Sequence, residues 1–292
     1  MSAWLGRLFI ALVEATYRWS QPARTRLAHA LGDALWWLVR PRRRVALANL
    51  RACFPHWSEA QRRRVARGCF RNAARAVLDH AVLARGTREE IARYVRAEGL
   101  QHLHDPANRP LIMIAPHFAG LNAGGIRISA ELAAVSIYAR QRNAALDDWL
   151  RALRGRFNAP VLIAREGFDL RAAIRAMQDG RPFYYLPDQD YGAQHSIFVP
   201  FFGVPAATIP MVARLAKLTG AKVLLTVTEM TPDGYRLHVE PPWQDFPSAS
   251  VEEDTARMNR AIERWVEKMP DQYLWTHKRF KSRPPGAPPI YR

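Results

Sequence analysis

Residues 111–122 read LIMIAPHFAGLN and place a histidine directly after a short, wholly apolar run. Residues 111–115 are typical of a buried β-strand, because five consecutive apolar residues bounded by a proline offer no polar face to solvent. The glycine at position 120 predicts a turn that leads into a helix. His117 is therefore expected at the mouth of a buried strand, which is where α/β proteins place their chemistry.

Further β-rich runs follow this stretch and alternate with helix-length segments. Alternation of strands and helices predicts βαβ crossovers and a largely parallel sheet. A turn sequence at residues 231–234, TPDG, then predicts one antiparallel strand. We expect an α/β fold, with a mostly parallel mixed sheet flanked by helices. The strands are expected over residues 111–115, 135–139, 161–164, 183–186, 223–230 and 235–240, and helices over 169–179, 209–218 and 252–268.

The first third of the chain has a different character, with a strongly basic and helical pattern and no evident strand. A capping-box sequence, SEAQ at residues 58–61, predicts a long helix that runs to about residue 84. We divide the chain into an N-terminal helical, membrane-associating region, residues 1–96, and an α/β domain, residues 97–292. The two are expected to pack as one integrated domain, and the α/β domain is expected to end in a proline-rich tail without a fixed fold.

Net charge restricts the class of partner. The chain has 292 residues, of which 43 are Lys or Arg and 26 are Asp or Glu, giving a net charge of +17. Such an excess predicts an anionic partner: nucleic acid, anionic lipid headgroups, a phosphorylated substrate or an acidic carrier protein. Arginine-rich codon usage is the competing explanation. The two cysteines, Cys53 and Cys69, form no C-x-x-C pair, which argues against a disulfide framework or a zinc site.

Aromatic residues and arginines near the N-terminus indicate contact with a membrane surface. Trp4 and Phe9 lie in one amphipathic segment, and Trp36 and Trp37 in a second that runs into RPRRR at residues 40–44. Neither segment supplies the roughly 20 apolar residues that a membrane-spanning helix needs. Rings beside a basic cluster are typical of helices that lie at the headgroup boundary of an anionic leaflet. An ordinary helix packed on the protein is the alternative, and no signal-peptide cleavage site follows.

Two carboxylates follow another predicted strand, in the sequence YYLPDQDYG at residues 184–192. Asp188 and Asp190 could bind Mg²⁺, accept hydrogen bonds from substrate hydroxyls, or hold arginines in place. No further metal-ligating residue is spaced to join them. We therefore expect hydroxyl or arginine partners and no metal ion.

Arginines recur where predicted strands end. Arg140 and Arg142 follow residues 135–139, and Arg165 follows residues 161–164. The carboxyl ends of parallel strands share one edge of the sheet, so these arginines are expected to face the same cleft as His117 and Asp188. A guanidinium fork suits phosphate recognition.

Common enzyme motifs are missing from the sequence. It holds no phosphate-binding P-loop, no G-x-G-x-x-G, no G-x-S-x-G and no H-E-x-x-H, so ATPases, dinucleotide enzymes, serine hydrolases and zincins are excluded, and we predict no cofactor. Binding of nucleic acid is disfavoured, because the aromatic residues cluster in amphipathic N-terminal segments and not along a recognisable RNA-binding strand.

Five blocks, in order along almost the whole chain, resemble one family: the acyltransferases of lipid A biosynthesis that add lauroyl or myristoyl chains to a Kdo-bearing precursor. The blocks are NLRACFP at 49–55, APHF at 115–118, PDQDYG at 187–192, FVPFFG at 198–203 and QYLWTHKRFK at 272–281. The resemblance implies an enzyme on the cytoplasmic face of the inner membrane. It would transfer an acyl chain from acyl carrier protein to a hydroxyl of a lipid A precursor.

The resemblance also assigns roles to the candidate site residues. His117 corresponds to the general base of the family's H-x4-D/E motif, with donors in the following turn stabilising an oxyanion. Arg140 and Arg165 would bind phosphate or carboxylate groups of the acceptor. Asp188 and Asp190 would order the sugar or those arginines.

Asn122 departs from the motif, because the family has a carboxylate at this position. Asparagine can orient the imidazole through its oxygen, but it lacks the charge that favours the imidazolium. Three alternatives follow. The enzyme tolerates Asn122 or recruits another acid, Asp188 or Asp190; it acts on a different glycolipid or aminolipid; or it is a catalytically silent binder of lipid or acyl carrier protein.

Overall fold

The computed structural model describes residues 3–291. The chain begins with five helices, and the remaining helices alternate with nine strands. The helices are α1 (Ala3–Ala15), α2 (Gln21–Leu38), α3 (Arg40–Cys53), α4 (Glu59–Arg85), α5 (Arg88–Tyr94), α6 (Gln101–His104), α7 (Leu121–Glu131), α8 (Ala144–Gly155), α9 (Leu170–Gln178), α10 (Met211–Thr219) and α11 (Val251–Lys268). The strands are β1 (Val95–Glu98), β2 (Leu111–Ile114), β3 (Val135–Tyr138), β4 (Val161–Ala164), β5 (Phe183–Tyr185), β6 (Ile197–Phe201), β7 (Val204–Thr208), β8 (Lys222–Thr231) and β9 (Gly234–Val239).

Seven of these strands form the central sheet, in the order β1-β9-β8-β2-β5-β3-β4. Strands β8, β2, β5, β3 and β4 run parallel. Strand β9 returns antiparallel to β8 through the TPDG turn, and β1 pairs parallel with β9. The structure confirms the predicted mixed, mostly parallel α/β sheet flanked by helices.

Local sequence signals account for most of these elements. All four residues of β2 are buried, as expected of a central strand with helices on both faces. The side chain of Ser58 caps α4, and that of Asp169 caps α9, each by accepting a backbone N–H three residues on. Helix α10 ends at Gly220, whose φ of +67° suits a residue without a Cβ.

Two features of the sheet region differ from the sequence prediction. Strand β1 begins at Val95, inside the segment where no strand was evident, because its sequence VRAE carries two charges and no apolar run. Its pairing partner β9 lies far away in sequence. Strands β6 and β7 form a separate antiparallel hairpin that was not predicted as strands.

The apolar core is continuous across residue 96, where the sequence changes character. One buried cluster joins Leu50 and Phe70 of the N-terminal helices to Ile114 and Phe183 of the sheet. The N-terminal helices therefore pack on the sheet as part of the same core.

The C-terminal segment after α11 is held by specific contacts. The amide of buried Asn49 donates to the carbonyl oxygens of Trp275 and His277, both at 2.7 Å. The hydroxyl of Tyr291 accepts the N–H of Phe280 at 2.9 Å. Prolines remove backbone donors, but the remaining polar groups of this segment find partners on the core.

Among residues 3–291, no helix combines the length and the apolarity required to cross a bilayer. Helix α1 nevertheless exposes a stripe of large apolar side chains at helical spacing. Trp4 is 64% exposed, Leu8 48% and Leu12 61%.

Candidate active site

The histidine loop connects β2 to α7 at the carboxyl edge of the sheet, as predicted. The C-terminal segment lies alongside it and forms backbone hydrogen bonds with it. Ala119 donates its N–H to the oxygen of Gln272 at 2.7 Å, and Leu274 donates to the oxygen of His117 at 3.0 Å. Two segments distant in sequence therefore fix the position of His117.

His117 is paired with Asp188, which follows the neighbouring strand β5. Its Nδ1 lies 2.7 Å from Oδ1 of Asp188, and its backbone N–H donates to Oδ2 at 2.8 Å. The side chain of Asp188 is 1% exposed and that of His117 is 17% exposed. Burial acts to raise the pKa of Asp188, but the charge and the two hydrogen bonds of His117 outweigh it and hold this pKa below its usual value.

An ionised Asp188 fixes the tautomer of His117. The carboxylate accepts a hydrogen from Nδ1, so in the neutral imidazole Nε2 carries the lone pair. A histidine with this tautomer, oriented by a buried carboxylate, is arranged as a general base.

Gln189 contacts the second ring nitrogen of His117, Nε2. The amide nitrogen of Gln189 lies 3.1 Å from Nε2 of His117, and its oxygen accepts the hydroxyl hydrogen of Tyr191 at 2.9 Å. Because Nε2 carries the lone pair, the amide donates this hydrogen bond.

Asp190 makes a different set of contacts from Asp188, although only one residue separates them. Its carboxylate accepts the N–H and the hydroxyl of Ser282 at 2.6 and 2.9 Å, and the N–H of Gly192 at 2.9 Å. Its own N–H donates to Nε2 of His277 at 3.1 Å. Asp190 thus ties the loop after β5 to the C-terminal segment.

His277 acts as a neutral acceptor in this network. Burial is the main cause that lowers its pKa to about 4, and the nearby positive charges of His117 and Arg279 act in the same direction. Its unprotonated Nε2 can therefore accept the N–H of Asp190 at neutral pH.

The strand-end arginines lie at the predicted edge: Arg140 and Arg142 follow β3, Arg165 follows β4, and all three are exposed. Arg165 pairs with Glu166 at 3.1 Å, and its guanidinium lies 5.7 Å from the centre of the Tyr191 ring. Arg140 forms no hydrogen bond or ion pair with another residue between 3 and 291. Within the same range, no group of three His, Cys, Asp or Glu residues is placed to hold a metal ion.

Asn122 is the second residue of α7 and is exposed. In the part of the chain that the structure describes, its side chain makes no hydrogen bond, and Nδ1 of His117 is already taken by Asp188. The backbone N–H groups of Asn122 and Ala123 also find no acceptor there. Helix α7 therefore presents free donors directly after the histidine loop.

An apolar cavity opens beside this site, between α7, α8 and strands β3 and β4. Its empty volume, open mouth included, is about 770 Å³. The lining includes Leu121 and Asn122 from the start of α7 and Leu186 from the end of β5. Gly125, Ile137 and Leu162, which lie further from His117 in the sequence, also line the cavity. The lining is largely apolar and is therefore suited to an apolar ligand.

Comparison with known proteins identifies the family of this chain. The family of bacterial lipid A biosynthesis acyltransferases matches residues 1–282. The chain belongs to this family. It is 31% identical to the lipid A biosynthesis lauroyltransferase of Escherichia coli (strain K12), over 99% of this chain and 95% of that protein. It is 32% identical to the palmitoleoyltransferase of lipid A biosynthesis from the same strain, over 89% of this chain and 87% of that protein.

Among solved structures, the 1-acyl-sn-glycerophosphate acyltransferase PlsC of Thermotoga maritima aligns with a TM-score of 0.39 and 16% identity. The alignment covers 79% of this chain and 97% of that chain. A similarity at this level carries no argument about function.

Three residues of this acyltransferase's site were not singled out from the sequence. Gln189 and Tyr191 lie in the block that supplied Asp188 and Asp190, and His277 lies in the last block. The blocks were therefore a usable signal. What they could not show is which side chains meet at the site, because the contacts join segments 71 to 87 residues apart.

We expect His277 to make stability depend on pH. Because its pKa in the folded protein is lowered to about 4, the unfolded chain binds more protons between about pH 4 and the usual value near 6.5. Stability is thus fully present above about pH 6.5 and falls as the pH falls towards 4. His277→Gln, which cannot be protonated, should show a smaller drop in the urea midpoint between pH 7 and pH 5.

The matched control is His56→Gln, because His56 is exposed. Its urea midpoint should fall with pH as the wild type does. Equal slopes for His277→Gln and the wild type would contradict the assignment of His277 as a buried neutral acceptor.

Proposed function

We propose that the protein transfers a fatty acyl chain from acyl carrier protein to a hydroxyl of a lipid A precursor, with His117 as the general base. The observation that carries this proposal is the buried His117–Asp188 pair, in a chain that belongs to an acyltransferase family and whose loops after β2 and β5 also lead into the lining of an apolar cavity. The relatives named above are acyltransferases of lipid A biosynthesis, which supports a lipid A-type acceptor.

In this mechanism Nε2 of His117 takes the proton of the acceptor hydroxyl as its oxygen attacks the carbonyl carbon of the acyl thioester. Asp188 stabilises the imidazolium that forms. The carbon–sulfur bond then breaks, and His117 returns the proton to the leaving thiolate. The free N–H groups at the start of α7 are the candidate donors to the oxyanion.

The contact between His117 and Asp188 takes the place of the one that a carboxylate at position 122 would make. A charge that accepts the Nδ1 hydrogen is supplied from the next strand, so Asn122 need not supply it. This arrangement favours an active enzyme that recruits another acid over a catalytically silent binder. Asn122 then contributes its backbone N–H and lines the cavity mouth.

The remaining predicted site residues divide into two groups. Arg140 and Arg165 are exposed at the same edge, and we propose that they bind phosphate groups of the acceptor. The carboxylate of Asp190 is occupied by three protein donors, which favours a role in positioning the loop over direct contact with the sugar.

The apolar cavity is the proposed site of the acyl chain. Its lining includes Leu121 and Asn122, shortly after His117 along the chain, and Leu186, shortly before Asp188, which would bring the thioester near the base. Burial of methylene groups provides the binding free energy, at about 0.8 kcal/mol for each one.

We also propose that the protein binds the cytoplasmic face of the inner membrane through its N-terminal helices. The exposed stripe on α1 supplies the apolar contact, and the net charge of +17 supplies attraction to an anionic leaflet. A lipid acceptor keeps its acyl chains in the bilayer, and a protein bound at the membrane surface would reach it there.

Substitution at the two candidate partners of His117 tests the mechanism. Asp188→Asn removes the charge that orients and stabilises the imidazolium, and it should lower the transfer rate by ~10³- to 10⁴-fold, by analogy with the equivalent change in serine proteases. Asn122→Asp should change the rate by less than about tenfold, because Nδ1 is already occupied. The measurement is acyl transfer from acyl carrier protein to lipid A precursor in washed membranes, with His117→Ala as the blank.

Transfer that persists in His117→Ala would overturn the general-base assignment. A large gain for Asn122→Asp, together with little effect of Asp188→Asn, would return the carboxylate role to position 122.

Filling the cavity should shorten the preferred acyl chain. A Cβ at Gly125 would meet only the ring of Tyr184 at 3.9 Å, so larger side chains fit the backbone and project into the cavity. Gly125→Leu should shift the ratio of C10 to C14 transfer towards C10 by about tenfold or more, since each lost methylene contact is worth about 0.8 kcal/mol. Gly125→Ala should give a small shift in the same direction. An unchanged chain-length profile for both variants would place the acyl chain elsewhere.

Removing the apolar stripe of α1 should weaken membrane binding. The triple variant Trp4→Ser, Leu8→Ser, Leu12→Ser should lower partition to vesicles containing anionic phospholipid by at least tenfold, because three exposed apolar side chains lose their contact with lipid. Sedimentation with vesicles measures this. Val77→Ser, at an exposed apolar side chain on α4, is the control and should bind as the wild type does.

A further inference from the structure

The nitrogen of His117 that would accept the proton is not open in this structure. Nε2 receives the side-chain amide of Gln189 at 3.1 Å, in the position that the acceptor hydroxyl must take to be deprotonated. An amide N–H and a hydroxyl compete for the same lone pair. The hydroxyl can therefore reach the base only after Gln189 has moved.

Gln189 is held in this position from its other end. Its oxygen accepts the hydroxyl of Tyr191 at 2.9 Å, so both ends of the amide are engaged and its orientation is fixed. Tyr191 is 47% exposed, at the surface of the site. The loop behind the two side chains is fixed by Asp190 through His277 and Ser282. Displacement of Gln189 from Nε2 therefore requires movement of only the Gln189 and Tyr191 side chains, because Asp190 holds the loop backbone.

We infer that Gln189, held by Tyr191, is a displaceable plug on the catalytic base that the acceptor must replace before transfer can begin. This inference rests on the proposed function, since it assigns a role to a neighbour of the proposed base. Gln189 acts here as a positioning and specificity-determining residue.

The plug discriminates against water as acceptor. If water occupied Nε2, His117 would take its proton while the oxygen attacked the acyl thioester; the carbon–sulfur bond would break, and the thiolate would leave with the proton returned by His117. The products would be free fatty acid and thiol. A lipid acceptor brings binding energy from its other groups to displace the amide, whereas water brings only one hydrogen bond to exchange for another.

Arg165 couples acceptor binding to release of the plug. Its guanidinium lies 5.7 Å from the centre of the Tyr191 ring and also pairs with Glu166. An acceptor phosphate that binds Arg165 competes for the guanidinium, which weakens its contact with Tyr191 and hence the hold on Gln189. The arginine proposed to bind the acceptor thus touches the residue that holds the plug.

The first test measures access to Nε2 directly and needs no substrate. Diethyl pyrocarbonate modifies unprotonated imidazole nitrogen, and peptide mass spectrometry gives the rate at His117 in the full-length protein. Gln189→Ala should raise this rate by roughly 2- to 10-fold, the factor that corresponds to losing one hydrogen bond. Tyr191→Phe should give a smaller increase. The rate at exposed His56 is the internal reference and should not change.

The second test measures how the acyl thioester is partitioned between transfer and hydrolysis. Gln189→Ala should raise the ratio of free fatty acid to acylated lipid by roughly 2- to 10-fold and lower the KM for the acceptor. Gln244→Ala, in an exposed loop, is the matched control and should leave both values at those of the wild type. A merely structural role for Gln189 would lower transfer and hydrolysis together.

An unchanged reactivity of His117 in Gln189→Ala, or an unchanged partition ratio, would overturn the plug. Failure of the proposed function looks different, because the wild type would then show no His117-dependent transfer while Gln189→Ala still raised the modification rate.

Discussion

A carboxylate buried as deeply as that of Asp188 is costly to remove from water, and its free energy must be offset by charge and hydrogen bonds in fixed positions. His117 supplies both, through Nδ1 and through its backbone N–H. The pairing requires that the loops after β2 and β5 end at the same height on the sheet edge. Parallel pairing of these two strands meets that requirement. The same contact leaves Nε2 with its lone pair, so one interaction both fixes the fold at the sheet edge and orients the proposed base.

The rest of the site serves to hold that pair. Asp190 joins the β5 loop to His277 and Ser282, and the side-chain amide of Asn49 on α3 donates a hydrogen bond to the same C-terminal segment. This explains why blocks at residues 49–55 and 272–281, which supply no proposed catalytic group, accompany the histidine block in the sequence. Together with the loop after β5, these two blocks hold the His117–Asp188 pair in position, although the three segments are far apart in the chain.

The positive charge of the chain has two uses. Many arginines are internal partners: Arg24 and Arg75 flank the buried carboxylate of Asp79, and Arg67 and Arg71 both bind Asp33. These contacts fasten the N-terminal helices to one another and offer little to an external ligand. Arginines such as Arg140, exposed at the sheet edge, are available for an anionic acceptor. The net charge therefore overestimates the number of arginines that are free to bind a partner. The position of each arginine in the fold decides whether it is available.

The sequence by itself determined the α/β architecture, the strand that carries His117, and the shared edge with Asp188, Arg140 and Arg165. These follow from local periodicity and from the rule that parallel strands align their carboxyl ends, which act over short stretches of chain. Resemblance to the family's H-x4-D/E motif made Asn122 the expected partner of His117, but only the tertiary structure decided that Asp188 is in contact with it. Gln189, Tyr191 and His277 likewise became part of the site only there. Hydrogen bonds between segments 70 to 90 residues apart leave no local pattern, because they depend on strand order and on loops that pack together only in the folded chain.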